Sequence, residues 1–354
     1  IYILGTNASI INDNLTYSWT VESGGSIYIE GDDVLIKDSF FAFANASSSK
    51  SDTAGFGGAI FIYGNNVNIT SSVFFKNIAE GGGSGGAIYI MGENANIEKS
   101  NFTYCIAPDY NGEGGGFGAA GAIAIGGDDA SIRQSNFKYC TSRNGGVMFI
   151  AGSNAQITDL NITRCSATND GGALYIFGEH TNVSGTSFDH VKSERAGGAV
   201  YIRFGEYSNI ENSNFIFCNS TTGGAIDIDG NDIRISTSNM VDCYCVEDGG
   251  AIYISGNNVT MLDSNFTRCF VQNNNGGAIS VSNCTSVNNG VYASKANYMC
   301  YRTSSSAQYT NLLSYSDSIK AADKFLGKMG NTVYVNSGFY YISSGSLRSS
   351  GRLN

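Results

Sequence analysis

Short apolar runs alternate with polar residues in strand fashion, and one apolar string returns ten times along the chain. Its cores are Gly24–Ile29, Gly57–Ile62, Gly85–Ile90, Ala120–Ile125, Gly145–Ile150, Gly171–Ile176, Gly197–Ile202, Gly223–Ile228, Gly249–Ile254 and Gly276–Val281. Successive starts differ by 33, 28, 35, 25, 26, 26, 26, 26 and 27 residues. A near-fixed period in this range predicts a solenoid, in which each repeat buries its apolar face on the next.

One coil, Gly249–Asn275, shows the full pattern. Ile252 and Ile254 flank Tyr253, then come Gly256-Asn257-Asn258, Val259 and Met261, Ser264-Asn265-Phe266 and Cys269. Gly and Asn punctuate the runs because both tolerate the left-handed backbone of tight bends. About three short strands per coil are expected, each pairing in parallel with its equivalent in the next coil. Such crossovers are right-handed. The expected fold is all-β: a right-handed parallel β-helix of about eleven coils over residues 1–285, followed by an irregular capping or docking region over 286–354. In that region Asp317–Met329 reads as one short amphipathic helix, and Val333–Ile342 alternates like a strand or hairpin. Helical or Leu-rich repeats are disfavoured, since 46 glycines destabilise helices.

The first strand, Ile1-Tyr2-Ile3, aligns with Ile27-Tyr28-Ile29 and so starts inside a coil. Ile1, Tyr2 and Ile3 are therefore the candidate assembly end, a strand row open to head-to-tail pairing with a second copy of the chain. Two insertions interrupt the stack, Ala44–Phe56 and Ile106–Phe117. They read as surface loops without a catalytic signature.

Only 14% of the 354 residues are charged, and the net charge of −10 argues against nucleic-acid binding. No apolar run is long enough for a membrane-spanning helix. Eleven Asn-x-Ser/Thr sites are candidates for glycosylation: Asn7, Asn14, Asn45, Asn68, Asn101, Asn161, Asn182, Asn219, Asn258, Asn265 and Asn283. Together with the start at Ile1, they fit an extracellular or cell-surface location.

Six of the nine cysteines share one repeat phase: Cys105, Cys140, Cys165, Cys218, Cys243 and Cys269. Equivalent residues in adjacent coils lie about 4.8 Å apart, within the disulfide range. Coil-to-coil disulfides and a buried thiol ladder are the two readings. No metal site or cofactor is expected. The middle residue of each Ile-Tyr-Ile string points away from the core, giving an interaction stripe of Tyr28, Phe61, Tyr89, Phe149, Tyr175, Tyr201 and Tyr253. Asp32-Asp33, Asp128-Asp129, Asp227, Asp229 and Asp232 read as turn residues standing where other coils carry Asn.

Gly-Gly-Ala-Ile, as at Gly57–Ile60, Gly85–Ile88, Gly223–Ile226, Gly249–Ile252 and Gly276–Ile279, and Phe-x-x-Asn, literal at Phe74–Asn77, resemble the tetrapeptides of the polymorphic outer membrane protein family. In four other coils the second motif becomes Phe-x-x-Cys, at Phe102–Cys105, Phe137–Cys140, Phe215–Cys218 and Phe266–Cys269. The resemblance covers residues 1–285 and implies a secreted surface adhesin or structural protein. The expected function is a non-enzymatic extracellular structural or adhesive protein, a glycosylated surface-filament subunit that binds itself head-to-tail and takes host or environmental glycans as ligands. The alternative is a polysaccharide lyase or glycoside hydrolase on the same scaffold.

Overall fold

The computed structural model describes residues 1–47, 55–108, 119–256, 258–273 and 278–281, together with the strands Gly290–Ser294, Tyr298–Arg302, Thr310–Asn311, Thr332–Val335, Gly338–Ser343 and Ser346–Ser349. It is a parallel β-solenoid. Eleven strands stack into a first sheet, from Tyr2–Leu4 and Ile27–Glu30 through to Ile252–Ile254 and Ile279–Val281. A second sheet runs from Ser9–Ile11 and Val34–Lys37 to Thr260–Leu262 and on into the C-terminal strands. A third sheet is built from two short strands per coil, such as Phe40–Ala42 and Asn45–Ala46. Four strand segments per coil thus replace the three expected. Thr332–Val335 and Gly338–Ser343 pair antiparallel, where alternation indicated a strand or hairpin. The expected helix Asp317–Met329 lies outside the described residues.

Left-handed residues explain the extra segment. The coil that starts at Gly85 has positive φ at Gly85, Asn94, Lys99 and Tyr104, and the next at Ala120, Asp129, Gln134 and Tyr139. Four corners divide the coil into four straight runs. Asn and Asp at the second corner follow the usual preference. Lys, Gln, Tyr, Arg and Thr at the third and fourth do not, and each such residue costs about 1 kcal/mol or more. Stacking must over-determine these corners.

The Gly-Gly motif has two separate causes. Its first residue is left-handed, as at Gly85 with φ 68°. Its second residue has no room for a side chain. A Cβ on Gly86 would stand 2.1 Å from the Gly121 carbonyl oxygen and 2.5 Å from the Ile106 nitrogen. The same approach, to the carbonyl of the next coil, recurs at Gly58, Gly146 and Gly172. Here the corner of one coil touches both its neighbour and its own third sheet.

Core layers follow from the in-register pairing. Ile27, Ile60, Ile88 and Ile123 stack on one another, as do Ile36, Ile69, Ile97 and Ile132, all fully buried. Phe41, Phe74, Phe102 and Phe137 form a buried ring pile with centroids 5.0, 4.7 and 4.8 Å apart. Ile162 interrupts it, and Phe188–Phe215 resumes it at 4.7 Å.

Polar ladders satisfy the buried corner amides, which otherwise destabilise the fold. The amides of Ser39, Ser72 and Ser100 donate to the hydroxyls of Ser72, Ser100 and Ser135 in the next coil, at 3.1 to 3.3 Å. Each hydroxyl also donates to the carbonyl two residues back, as Ser72 does to Thr70 at 2.9 Å. At the next corner Asn77 accepts from the Ala44 amide and donates to the Phe41 carbonyl, both at 3.1 Å. This is why the repeat carries Asn three residues after Phe.

These packing constraints predict opposite outcomes for two glycine substitutions. Gly86→Ala must displace backbone on two sides and is expected to abolish cooperative folding. Gly126→Ala meets nothing nearer than 3.7 Å and is expected to shift the melting temperature by only a few degrees. Circular dichroism melts of the two variants decide; equal stability of both would contradict the close-approach account.

Candidate functional site

The predicted stripe is in register along the first sheet: Tyr2, Tyr28, Phe61, Tyr89, Ala124, Phe149, Tyr175, Tyr201, Asp227 and Tyr253. The rings lie on the side opposite the buried Ile pairs, but they cover one another. Tyr28 stacks on Tyr2 at 5.2 Å and on Phe61 at 4.9 Å, and Phe61 on Tyr89 at 5.5 Å. Phe61, Tyr175 and Tyr201 are buried, while Tyr28, Tyr89, Phe149 and Tyr253 are half-buried. Phe56, at the end of an insertion, packs on Tyr89 at 5.1 Å. Packing takes up much of this stripe.

Between Phe149 and Tyr253 the stripe becomes polar. Arg195 grips Asp170 with two guanidinium nitrogens, Nε and Nη2, the Nε to Oδ1 bond being 2.7 Å. Arg203 donates to the Tyr175 hydroxyl at 3.2 Å. Asp227 is buried on the strand Ile226–Asp229 and accepts from the Thr222 hydroxyl at 2.6 Å. Burial pushes its pKa up to about 7, aided by the charges of Asp170 and Asp229 and opposed by Thr222 and Arg195. Burial, with the charge of Asp227, also raises Tyr201. Asp227 and Asp229 are therefore strand residues and not the turn residues expected. The other acids do sit at a turn, and each braces the next coil. Asp32 accepts from the Asn65 amide and Asp128 from the Ser153 amide, both at 2.7 Å. Asp33, Asp129 and Asp232 accept from the side-chain amides of Asn66, Asn154 and Asn258. No group of three or more His, Cys, Asp or Glu suited to a metal occurs among the described residues.

Cys105, Cys140 and Cys165 lie in consecutive coils, as do Cys218, Cys243 and Cys269, and all six are fully buried free thiols here. They occupy the corner slot of Asn77. Cys105 donates to the Phe74 carbonyl at 3.7 Å and Cys140 to that of Phe102 at 3.8 Å, while the Cys140 amide donates to Cys165 Sγ at 3.4 Å. A thiol thus does the work of the Asn amide in a smaller volume. Burial raises the pKa of Cys105, Cys165 and Cys218 well above that of an ordinary thiol. Such thiols are poor nucleophiles.

Most of the glycosylation candidates belong to inter-coil side-chain contacts. Asn136 Nδ2 donates to Asn101 at 2.8 Å, Asn161 to Asn136 at 3.0 Å and Asn265 to Asn239 at 2.9 Å. Asn182 donates to Gln156, Asn45 to Glu80, and Asn258 to Asp232. Asn7 donates to Thr6, and Asn219 is half-buried in its strand. Asn283 lies outside the described residues. At the candidate assembly end, Tyr2–Leu4 pairs with Ile27–Glu30, Ile1 and Tyr2 are exposed, and Ile3 is half-buried against the core.

Sequence reasoning passed over a second outward stripe. The fourth corner, just before the Asn or Cys slot, carries Tyr17, Phe43, Lys76, Tyr104, Tyr139, Arg164, His190, Phe217, Asp242 and Arg268. Tyr17 is 77% exposed and Phe217 46%. Tyr17 stacks on Phe43, and Tyr104 on Tyr139, each at 4.8 Å. The available signal was the residue two after each core Phe, as in Phe41-Ala42-Phe43 and Phe102-Thr103-Tyr104.

Residues 71–91 match the family model of the Chlamydia polymorphic membrane protein (Pmp) repeat. The chain is a Pmp-like parallel β-helix repeat protein. No curated protein and no solved structure matches it significantly. The matched segment holds both tetrapeptides, Phe74–Asn77 and Gly85–Ile88. In this Pmp-like repeat the first motif supplies the stacked ring and the amide-satisfying corner, and the second the glycine contact between coils.

Asp227 makes stability depend on pH. Its folded pKa of about 7 lies above the usual carboxylate value, so the folded state holds the proton more tightly. That contribution is complete below about pH 4 and is lost as pH rises towards 7. Asp227→Asn is therefore expected to melt above the wild type at pH 8 and to match it near pH 4. Parallel melting curves of the two proteins across pH 4–8 check this.

Proposed function

We propose that this chain is a non-enzymatic, surface-displayed adhesin-type protein, its solenoid a rigid rod that presents side-chain stripes. The supporting observation is the Pmp-repeat match at residues 71–91, which falls on a coil whose fourth corner carries Lys76 between exposed aromatic residues. In-register stacking explains why a rod suits display, because it gives outward residues a fixed spacing of one coil. Antibody labelling of intact cells of the source organism tests the location. Labelling only after permeabilisation would overturn it.

Glycosylation belongs to the same proposal, and the ladders rank the sites. Asn14, Asn68 and Asn101 are exposed, and their side-chain nitrogens donate no hydrogen bond among the described residues. Asn161 and Asn265 use theirs to hold adjacent coils together. Glycopeptide mass spectrometry of native material is expected to find glycan at Asn14, Asn68 or Asn101 and none at Asn161 or Asn265. The reverse pattern would contradict the ranking.

A further inference from the structure

At the fourth corner Phe43, Lys76, Tyr104, Asn45, Ile78 and Ile106 contribute to the lining of a cleft of about 490 Å³. Both insertions leave the stack from this rim, after Asn45–Ala46 and after Ile106–Ala107. Lys76 Nζ stands 5.7 Å from the ring centre of Phe43, 5.3 Å from Phe75 and 5.9 Å from Tyr104. It makes no ion pair among the described residues. Among the described residues, the Glu80 carboxylate accepts from Nδ2 of the cleft residue Asn45 at 3.0 Å. Further along the corner, Lys138 lies 5.2 Å from the Tyr139 ring, and Arg164 donates to the Tyr139 hydroxyl at 3.1 Å. From Tyr17 to Arg164 this corner carries no acidic residue, on a chain of net charge −10.

We propose that this cleft binds an acidic glycan, a chain of sugar rings bearing carboxylate or sulfate. The proposal rests on the adhesin-type reading above and names its ligand class. Three features favour this occupant. The exposed flanks of the stacked rings offer apolar surface for the C–H groups of a sugar ring. Lys76, which has no ion pair among the described residues, supplies a charge-assisted hydrogen bond to an anion. The rings and cations repeat along the rod at coil spacing, which suits a polymer over a single small molecule. A neutral sugar would leave Lys76 unmatched, and an acidic rod surface elsewhere repels polyanions from competing positions.

The test uses the purified full chain with three probes: heparin as a sulfated glycan, polygalacturonate as a carboxylated one, and neutral dextran. Binding to at least one acidic probe is expected, weakened by salt, with none to dextran; the preferred probe identifies the anionic group. Lys76→Gln and Tyr104→Asn should each bind about tenfold more weakly, the loss of one charge-assisted or stacking contact. Both replacements are compatible with a left-handed backbone, which Gln134 and Asn94 adopt at other corners of this fold. Phe177→Ala, on an exposed ring at another position, should bind like the wild type. Equal binding to dextran, no binding to either acidic probe, or unchanged binding by both cleft variants would overturn the proposal. Surface labelling of intact cells alongside unchanged cleft variants would sink this inference and leave the adhesin-type reading standing.

Discussion

Each coil has to lie flat on the next at the spacing of a β-sheet, and the second glycine of the repeated motif is where that demand is strictest. With the Gly121 oxygen only 2.1 Å from where a Gly86 Cβ would stand, no side chain fits. Because one coil's backbone is seated directly on its neighbour's, every other residue inherits a partner of the same phase. The Ile layers, the Phe pile and the hydroxyl ladder are consequences of that registration. They in turn supply the burial that holds left-handed Lys, Tyr and Arg at the corners.

Buried corners raise a second problem, since a bend leaves amides without a sheet partner. The chain solves it with side chains that are short and polar, and it uses different ones at different corners. Ser serves at the third corner and Asn or Cys at the fourth. Leu160 shows the tolerance of the scheme. It has no hydroxyl to offer the coil before it, yet its own amide donates to Thr186 at 3.4 Å, so the ladder resumes one coil later. Asn77 and Cys105 show that unlike side chains can fill one slot when both reach the Phe carbonyl of the preceding coil. The cysteine phase thereby has a structural explanation that needs no bond between sulfurs.

Fold and core were legible because apolar periodicity reports directly on burial. Ile27, Ile60, Ile88, Ile252 and Phe266 are all buried as their phase requires. The direction of the Tyr28 stripe was legible for the same reason, but its exposure was not. Alternation reveals which side a residue faces and says nothing of how far its neighbours cover it, and Tyr175 and Tyr201 are buried by such cover. The fourth corner was hidden for another reason. Lys76, Tyr139 and Arg164 have ordinary side chains for which no propensity signals a left-handed bend, so the turns they make are imposed by stacking alone. Asp227 was misread because Asn-like composition near Gly230-Asn231-Asp232 suggested a turn that begins only after Asp229.

A scaffold in which every coil repeats the same internal contacts leaves chemical variety to positions that make none of them. Along the first-sheet stripe the outward residue changes from Tyr and Phe to Asp227, and along the fourth corner from Tyr17 and Phe43 to Asp242 and Arg268. Neither change is a gradient, since Tyr253 follows Asp227 on the stripe and Lys76 precedes Phe217 on the corner. The core pile keeps its burial along the rod: Phe41 and Phe266 occupy equivalent buried positions at opposite ends. A new outward residue alters what the surface attracts without disturbing the register beneath. In the early coils the exposed rings and Lys76, which makes no ion pair among the described residues, lie where the two insertions leave the stack.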